Sequence, residues 1–260
     1  FYHNFAKIAK KYLGLQMDKK ASQNSHLKPK KQAKKQKNAP KISKDSDKIQ
    51  KNSILNDLGV KASDLLQSNG IIWVEGPSDR IYINKWLEMS SLGELHEGKD
   101  YQCVFYGGRL LSNLSLEDEE DLINLMNVNR NAIIVLDSDK KNIKFPLNKT
   151  KKRILEEAEK NGIMTWVTKG REIENYIPEE ILKKYYGKEK SRQKFDRFQN
   201  IEEYIDKIKN GEGKTFLRDK TEFARNILNE SKWDDFKSIY DLGKTISKVE
   251  NEIFSWNYMD

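Results

Sequence analysis

The chain has 260 residues, enough for one large domain or two small ones with a buried core. No apolar stretch approaches the roughly 20 residues needed to cross a bilayer, so we expect a soluble cytoplasmic protein with no membrane partner. A single cysteine, Cys103, excludes an internal disulfide and a cysteine-rich zinc site, and three scattered histidines argue against a histidine metal cluster.

The net charge of +8 is concentrated in one segment, residues 17–52. Between Met17 and Lys51, twelve lysines and three aspartates give +9, which leaves −1 for the rest of the chain. The segment has almost no large apolar residues to offset chain entropy, so we interpret it as a disordered lysine-rich linker or insertion. The alternative is an arm that tethers DNA by sequence-independent attraction to phosphates.

Four candidate strands follow and alternate with helical segments. Each strand is apolar throughout, which indicates burial on both faces and therefore a mainly parallel sheet flanked by helices. The strands are GIIWVEG (70–76), YQCVFYGG (101–108), AIIVLDSD (132–139) and IMTWVTKG (163–170). Apolar residues at three- and four-residue spacing predict helices at 78–91, 116–129 and 148–162. We predict an α/β domain over 53–187 and a helical C-terminal extension over 188–260.

Acidic residues follow three of the strands, at the sheet edge where ligands of such folds bind. They are Glu75 and Asp79 after the first strand, Asp137 and Asp139 after the third, and Glu172 and Glu174 after the fourth. Each acid by itself is typical of a helix cap or a turn. Several carboxylates at one edge would repel each other unless a divalent cation neutralised them. Oxygen ligands without histidine or cysteine suit Mg²⁺ or Mn²⁺, and two such ions would hold a phosphodiester.

A site of this kind also needs a cation to stabilise the charge that builds on the phosphate. Lys220, in DKTEFAR, is the first candidate and Arg171 is the second. Considered by its own pattern, Lys220 is more typical of a surface lysine on an amphipathic helix. Gly107 and Gly108, which end the second strand, lack a Cβ and would let the backbone approach the metal site or DNA closely.

Five segments, in the same order, resemble the Toprim nuclease half of the OLD (overcoming lysogenization defect) family of ATP-dependent endonucleases. They are WVEGPSDRIYINKWL, YGGRLLSNL, IIVLDSD, REIENYIP and DKTEFAR. The resemblance spans about residues 53–227 and implies a Rossmann-like Toprim sheet with an acid after the first strand and a DxD after the third. It implies a metal-dependent endonuclease that cuts DNA by a two-metal mechanism and acts in defence against phage.

The resemblance also implies roles for individual residues. Its metal ligands are Glu75, Asp79, Asp137, Asp139 and Glu174, with Glu172 as the alternative to Glu174. Glu75 is in addition expected to act in catalysis, and Lys220 stands where the family has its catalytic lysine. That position changes the interpretation of Lys220 from a surface lysine to a functional one.

In the OLD family an ABC-type ATPase precedes the Toprim half, so the resemblance implies such an ATPase as a partner, in the same chain or another. We interpret residues 1–16 as the end of an ATPase domain, and we expect a homo-oligomer. The stretches GEGKT (211–215) and LGKT (242–245) do not match a P-loop, because Ile208 and Ser238 occupy the position of its first glycine. We therefore predict no ATP-binding residues in this chain.

Two alternatives remain open from the sequence. The same site could cleave RNA, such as tRNA, because nothing in it identifies a reader of the 2′-hydroxyl. The domain could also be a regulatory or assembly module of an ATPase complex that has lost turnover, although the complete set of acids argues against this interpretation.

Overall fold

A computed structural model of the protein describes residues 69–107 and 131–258. Four strands form one sheet in the order β2-β1-β3-β4, and every pairing is parallel. The strands are β1 (Ile71–Val74), β2 (Gln102–Phe105), β3 (Ala132–Leu136) and β4 (Met164–Val167). The predicted α/β class and all four predicted strands are confirmed. The predicted helix at 116–129, Gly108 and residues 1–52 lie outside the described residues.

Helices connect the strands and continue beyond them. Helix α1 (Pro77–Ser90) follows β1, and helix α2 (Lys149–Lys160) joins β3 to β4. After β4 come a 3₁₀ turn (Ile173–Tyr176) and helices α3 (Glu179–Tyr185), α4 (Ile201–Ile208), α5 (Glu212–Arg218), α6 (Lys220–Asn229), α7 (Trp233–Phe236) and α8 (Leu242–Tyr258). The helices predicted at 78–91 and 148–162 are confirmed.

Side-chain caps mark where α2 and α6 begin. The side chain of Asn148 accepts a hydrogen bond of 2.7 Å from the backbone N–H of Lys151, and so caps α2. The side chain of Asp219 accepts one of 2.9 Å from the N–H of Glu222, and so caps α6. These contacts satisfy backbone donors that have no partner within the helix.

The strand order creates a switch point between β1 and β3. From β1 the chain moves to β2 on one side, and from β3 it moves to β4 on the other. Because such crossovers are right-handed, α1 and α2 lie on opposite faces of the sheet. The carboxyl ends of β1 and β3 therefore border a crevice, which is where open α/β sheets bind ligands.

The main core lies on the face of the sheet covered by α1 and includes residues of the C-terminal helices. Trp86 of α1 is at its centre, with ring centroids 5.4 Å from Tyr82, 6.3 Å from Trp166, 6.0 Å from Tyr176 and 6.0 Å from Phe236. The aromatic contacts join α1, β4, the 3₁₀ turn and α7. In the part of the chain that the structure describes, no helix is long and apolar enough to cross a membrane.

Replacing Trp86 by Ala should lower the free energy of unfolding by about 3–5 kcal/mol, because it removes a fully buried ring and leaves a cavity. Urea denaturation of the two proteins measures the difference. Ile143→Ala is the control, since the Ile143 residue is 71% exposed and its loss should change the stability by less than about 0.5 kcal/mol. Equal stability of the Trp86 variant and the control would contradict the proposed centre of the core.

Candidate functional site

The first two acids meet at the switch point. Glu75 directly follows β1 and Asp137 directly follows β3, and these strands are neighbours. The backbone N–H of Asp137 donates to Glu75 Oε1 at 3.1 Å. On the other side, the N–H of Gly107 donates to the carbonyl oxygen of Glu75 at 2.9 Å, with Gly107 at a φ of 64° that favours glycine. The ends of β1, β2 and β3 are thus held together around Glu75.

Asp79 returns to the same edge from the first turn of α1. Its Oδ2 atom accepts a hydrogen bond of 2.9 Å from the N–H of Gly76, so it also caps the helix. Burial, with the carboxylates of Glu174 and Glu75 adding to it, raises the pKa of Asp79 to about 8. A carboxyl group in this environment favours its protonated form unless a cation lies close to it.

The pKa of Asp137 is raised by burial and by acids from the neighbouring loops. Burial raises its pKa well above the usual value, and the carboxylates of Glu75, Asp79, Glu174 and Glu172 raise it further. The structure therefore brings together five of the six acids that the sequence singles out.

The 3₁₀ turn after β4 presents Glu172 and Glu174. Asn175 fixes this turn, because its Oδ1 accepts from the N–H of Glu172 at 2.9 Å and its Nδ2 donates to the carbonyl of Gln199 at 3.0 Å. The side chain of Glu174 is only 1% exposed, whereas that of Glu172 remains more open. Burial and the neighbouring Glu174 carboxylate raise the pKa of Glu172.

Tyr176 anchors the same turn in the core. Its side chain is fully buried, and its hydroxyl donates to Asp241 Oδ1 at 2.7 Å. The hydroxyl also accepts from the backbone N–H of Lys169 at 2.9 Å. The turn is therefore tied both to the end of β4 and to the residue that precedes α8.

Lys220, the first residue of α6, reaches the acids of the 3₁₀ turn. Its Nζ lies 3.2 Å from Glu172 Oε2 and 3.2 Å from Glu174 Oε1. Although burial lowers it, the carboxylates of Glu174 and Glu172 raise the pKa of Lys220 above its ordinary value. The contact with Glu174 has an ion-pair distance without hydrogen-bond alignment, so the buried Oε1 atom has no hydrogen-bond donor in the structure.

Arg171 and Asp139 lie at the margin of the site. The Arg171 Nε is 3.5 Å from Glu172 Oε1, and the Arg171 carbonyl accepts from the N–H of Asp139 at 2.9 Å. The side chain of Asp139 is 55% exposed, and its backbone has a φ of 53°. Asp139 is therefore the most open of the six predicted acids.

Lys151 of α2 belongs to the site, although it was not among the residues predicted from the sequence. Its side chain is 4% exposed, and its Nζ lies 2.8 Å from Glu75 Oε1, 2.5 Å from Asp139 Oδ2 and 2.7 Å from the carbonyl oxygen of Asp137. A usable signal was its position three and seven residues before the buried Ile154 and Ala158, which places a lysine on the apolar face of the helix.

The donor set fits a hard divalent cation. All its ligand atoms would be oxygens, three of the carboxyl groups have raised pKa values, and Glu174 presents a buried oxygen that lacks a hydrogen-bond donor. As the side chains stand in residues 69–107 and 131–258, no three acidic, histidine or cysteine residues are grouped to hold one ion. The ammonium groups of Lys151 and Lys220 instead pair with these acids.

Comparison of the chain with protein-family models, with curated proteins and with solved structures found no match.

The stability of the metal-free protein should fall as the pH rises from about 4 to about 8. Over this range the folded Asp79, with its pKa of about 8, binds a proton that the unfolded chain has released, so higher pH favours unfolding. Asp79 alone contributes a slope of up to about 1.4 kcal/mol per pH unit, and Asp137 and Glu172, whose pKa values are also raised, add to it in the same direction. Asp79→Asn, which can still accept the Gly76 hydrogen bond, should reduce the slope.

Urea denaturation in a chelator at pH 5, 6.5 and 8 measures this dependence. Glu230→Gln is the matched control, because it removes an exposed acid from the end of α6. A slope that is the same in the Asp79 variant, the Glu230 variant and the unchanged protein would show that Asp79 is ionised in the folded state.

Proposed function

We propose that the chain is a Mg²⁺- or Mn²⁺-dependent endonuclease that hydrolyses phosphodiester bonds of DNA, on a Toprim-type Rossmann-like fold. The observation that carries the proposal is the convergence of Glu75, Asp79, Asp137, Glu172 and Glu174 at the switch point, where burial and mutual repulsion raise the pKa of three of them. Such a cluster favours binding of a divalent cation, as phosphodiester hydrolysis requires.

Each residue of the site has a chemical task in this proposal. Asp79, Asp137 and Glu174 would hold the metal, which supplies Lewis acidity for activating water and neutralising phosphate charge. Glu75 is oriented by the Asp137 N–H and by Lys151, so its carboxylate can position a water molecule and accept a proton.

A second group of residues would stabilise charge on the substrate. The Lys220 ammonium is held at the rim of the cluster by Glu172 and Glu174 and retains access to solvent, so it can stabilise negative charge on the phosphate. Arg171 lies on the same rim, beside Glu172.

A basic loop supports a nucleic acid as the substrate rather than a small phosphate ester. We define it as residues 186–200, between α3 and α4. It exposes Lys188, Lys190, Arg192 and Lys194. It is attached to the site through Arg197, whose carbonyl oxygen accepts from the N–H of Arg171 at 3.1 Å and whose Nε donates to the carbonyl of Lys169. A nucleic acid whose scissile phosphate lies at the acids could extend its backbone along this loop.

The resemblance to OLD-type nucleases places this activity beside an ABC-type ATPase that would gate it, in the same chain or in a partner, with defence against phage as the biological role. DNA is the substrate we propose. RNA is the alternative substrate, and the experiments below distinguish the two.

Removing either carboxylate at the switch point should abolish metal-dependent nicking. Asp137→Asn and Glu75→Gln each take one negative charge from the cluster without changing its shape, and we expect a loss of at least about 100-fold in rate. The measurement is the nicking of supercoiled plasmid DNA with Mg²⁺ or Mn²⁺, with total RNA assayed side by side. Glu230→Gln, at an exposed position, should cut at the unchanged rate.

Thermal unfolding with and without Mn²⁺, read together with the cleavage assays, separates an enzyme from a regulatory module. An ion that binds only the folded state raises the melting temperature. Stabilisation by Mn²⁺ without cleavage of either nucleic acid would support a regulatory module. Full nicking by both carboxylate variants would contradict the proposed mechanism. Cleavage of RNA alone would show that the substrate is RNA and not DNA.

Neutralising the basic loop should weaken DNA binding in a salt-dependent way. A variant with glutamine at the four exposed cations of the loop should reduce the magnitude of the slope of log affinity against log salt by up to about 3.6, because each phosphate contact contributes about 0.9. Fluorescence anisotropy of a labelled duplex in a chelator measures binding without cleavage. The control carries glutamine at four exposed lysines elsewhere, Lys232, Lys237, Lys244 and Lys248. Equal slopes for the two variants would contradict the role of the loop.

A further inference from the structure

The Lys151 ammonium lies among three oxygen atoms. Glu75 Oε1, Asp139 Oδ2 and the carbonyl oxygen of Asp137 all lie between 2.5 and 2.8 Å from Nζ. The ammonium donates hydrogen bonds to Asp139 Oδ2 and to the Asp137 carbonyl oxygen, and it forms an ion pair with Glu75 Oε1. Two of these oxygen atoms belong to residues directly after β1 and β3, at the switch point itself.

Lys151 is buried, which distinguishes its ion pairs from those of a lysine on the protein surface. The side chain is 4% exposed, and a charge removed from water to this extent is stable only with close partners of opposite sign. The N-cap Asn148 begins α2 three residues earlier and fixes the backbone from which Lys151 extends. The fold therefore holds a positive charge in a fixed position between Glu75 and Asp139.

The remaining acids have a different environment. Lys220 contacts Glu172 and Glu174 on the opposite side of the cluster, and Glu174 keeps a buried oxygen without a hydrogen-bond donor. Asp79 is buried as well, and its Oδ2 accepts from the N–H of Gly76. Lys151 thus serves Glu75 and Asp139, and Lys220 serves Glu172 and Glu174, whereas among the described residues no ammonium group forms an ion pair with Asp79 or Asp137.

We infer that the Lys151 ammonium takes the place of one of the two divalent ions expected at the site. The site therefore binds a single ion, held by Asp79, Asp137 and Glu174, while Lys151 fixes Glu75 and offsets one of the two negative charges of Glu75 and Asp139. Lys151 acts as a positioning residue, distinct from Lys220 at the rim. The inference rests on the proposed metal-dependent function and deepens it, because it sets the number of ions.

Counting bound ions tests the inference. Titration of the full chain with Mn²⁺, followed by calorimetry and by the loss of the free-ion electron paramagnetic resonance signal, gives the number bound per chain. Ions that still bind to Asp137→Asn are subtracted as ions held elsewhere. We expect one ion at the site in the unchanged protein. We expect two in Lys151→Met, which keeps the apolar stem and exposes Glu75 and Asp139 to a second ion. Lys152→Met, at the exposed neighbouring lysine of the same helix, should still bind one.

Stability in a chelator provides a second readout. Lys151→Met should melt roughly 5–15 °C lower than Lys152→Met, because it leaves the partly buried carboxylate of Glu75 without its cation, and Mn²⁺ should recover part of the loss. Two ions at the site of the unchanged protein would overturn the inference while preserving the metal-dependent function. No ion at all would instead refute the proposed function. The count in the unchanged protein decides the matter even if Lys151→Met fails to fold.

Discussion

Repulsion between buried carboxylates is the constraint on which the rest of this structure depends. Acids from three loops meet at the carboxyl ends of β1 and β3, and burial together with mutual repulsion favours their protonated forms wherever positive charge is not nearby. Two lysines from separate helices supply part of it, Lys151 beside Glu75 and Lys220 beside Glu174. The parallel sheet brings the acids together, and the helices that follow bring the cations, so fold and charge balance are inseparable at this edge.

The same residues serve the local fold and the candidate chemistry. Asp79 caps α1 through Gly76 and also belongs to the acidic cluster, so its interpretation as a cap does not compete with its interpretation as a ligand. Tyr176 and Asn175 have no charge to contribute, yet they hold the turn that presents Glu172 and Glu174. Rigid support of this kind is what a metal site requires of the residues behind its ligands.

Much of this arrangement follows from local patterns in the sequence. Apolar runs identify all four strands. The central strands β1 and β3 are buried throughout, as such runs predict, whereas the edge strands β2 and β4 are buried only in part. The acids that follow the strands share one edge because the sheet is parallel. Lys220 could be placed near the acids only through the resemblance to OLD-type nucleases, since its contacts join residues 48 positions apart in the chain. Lys151 was missed because helical lysines are usually solvent-exposed, although its spacing to Ile154 and Ala158 places it on the apolar face of the helix.

Both lysines lie in the first turn of a helix, at Lys151 in α2 and at Lys220 in α6. The helix macrodipole carries partial positive charge at that end, so a lysine there is disfavoured by about 0.3–1 kcal/mol. The caps formed by Asn148 and Asp219 offset this cost at each helix start. The fold thus accepts two locally unfavourable helix beginnings in order to place two ammonium groups against the acids, and each cap maintains the position of a charge as well as the start of a helix.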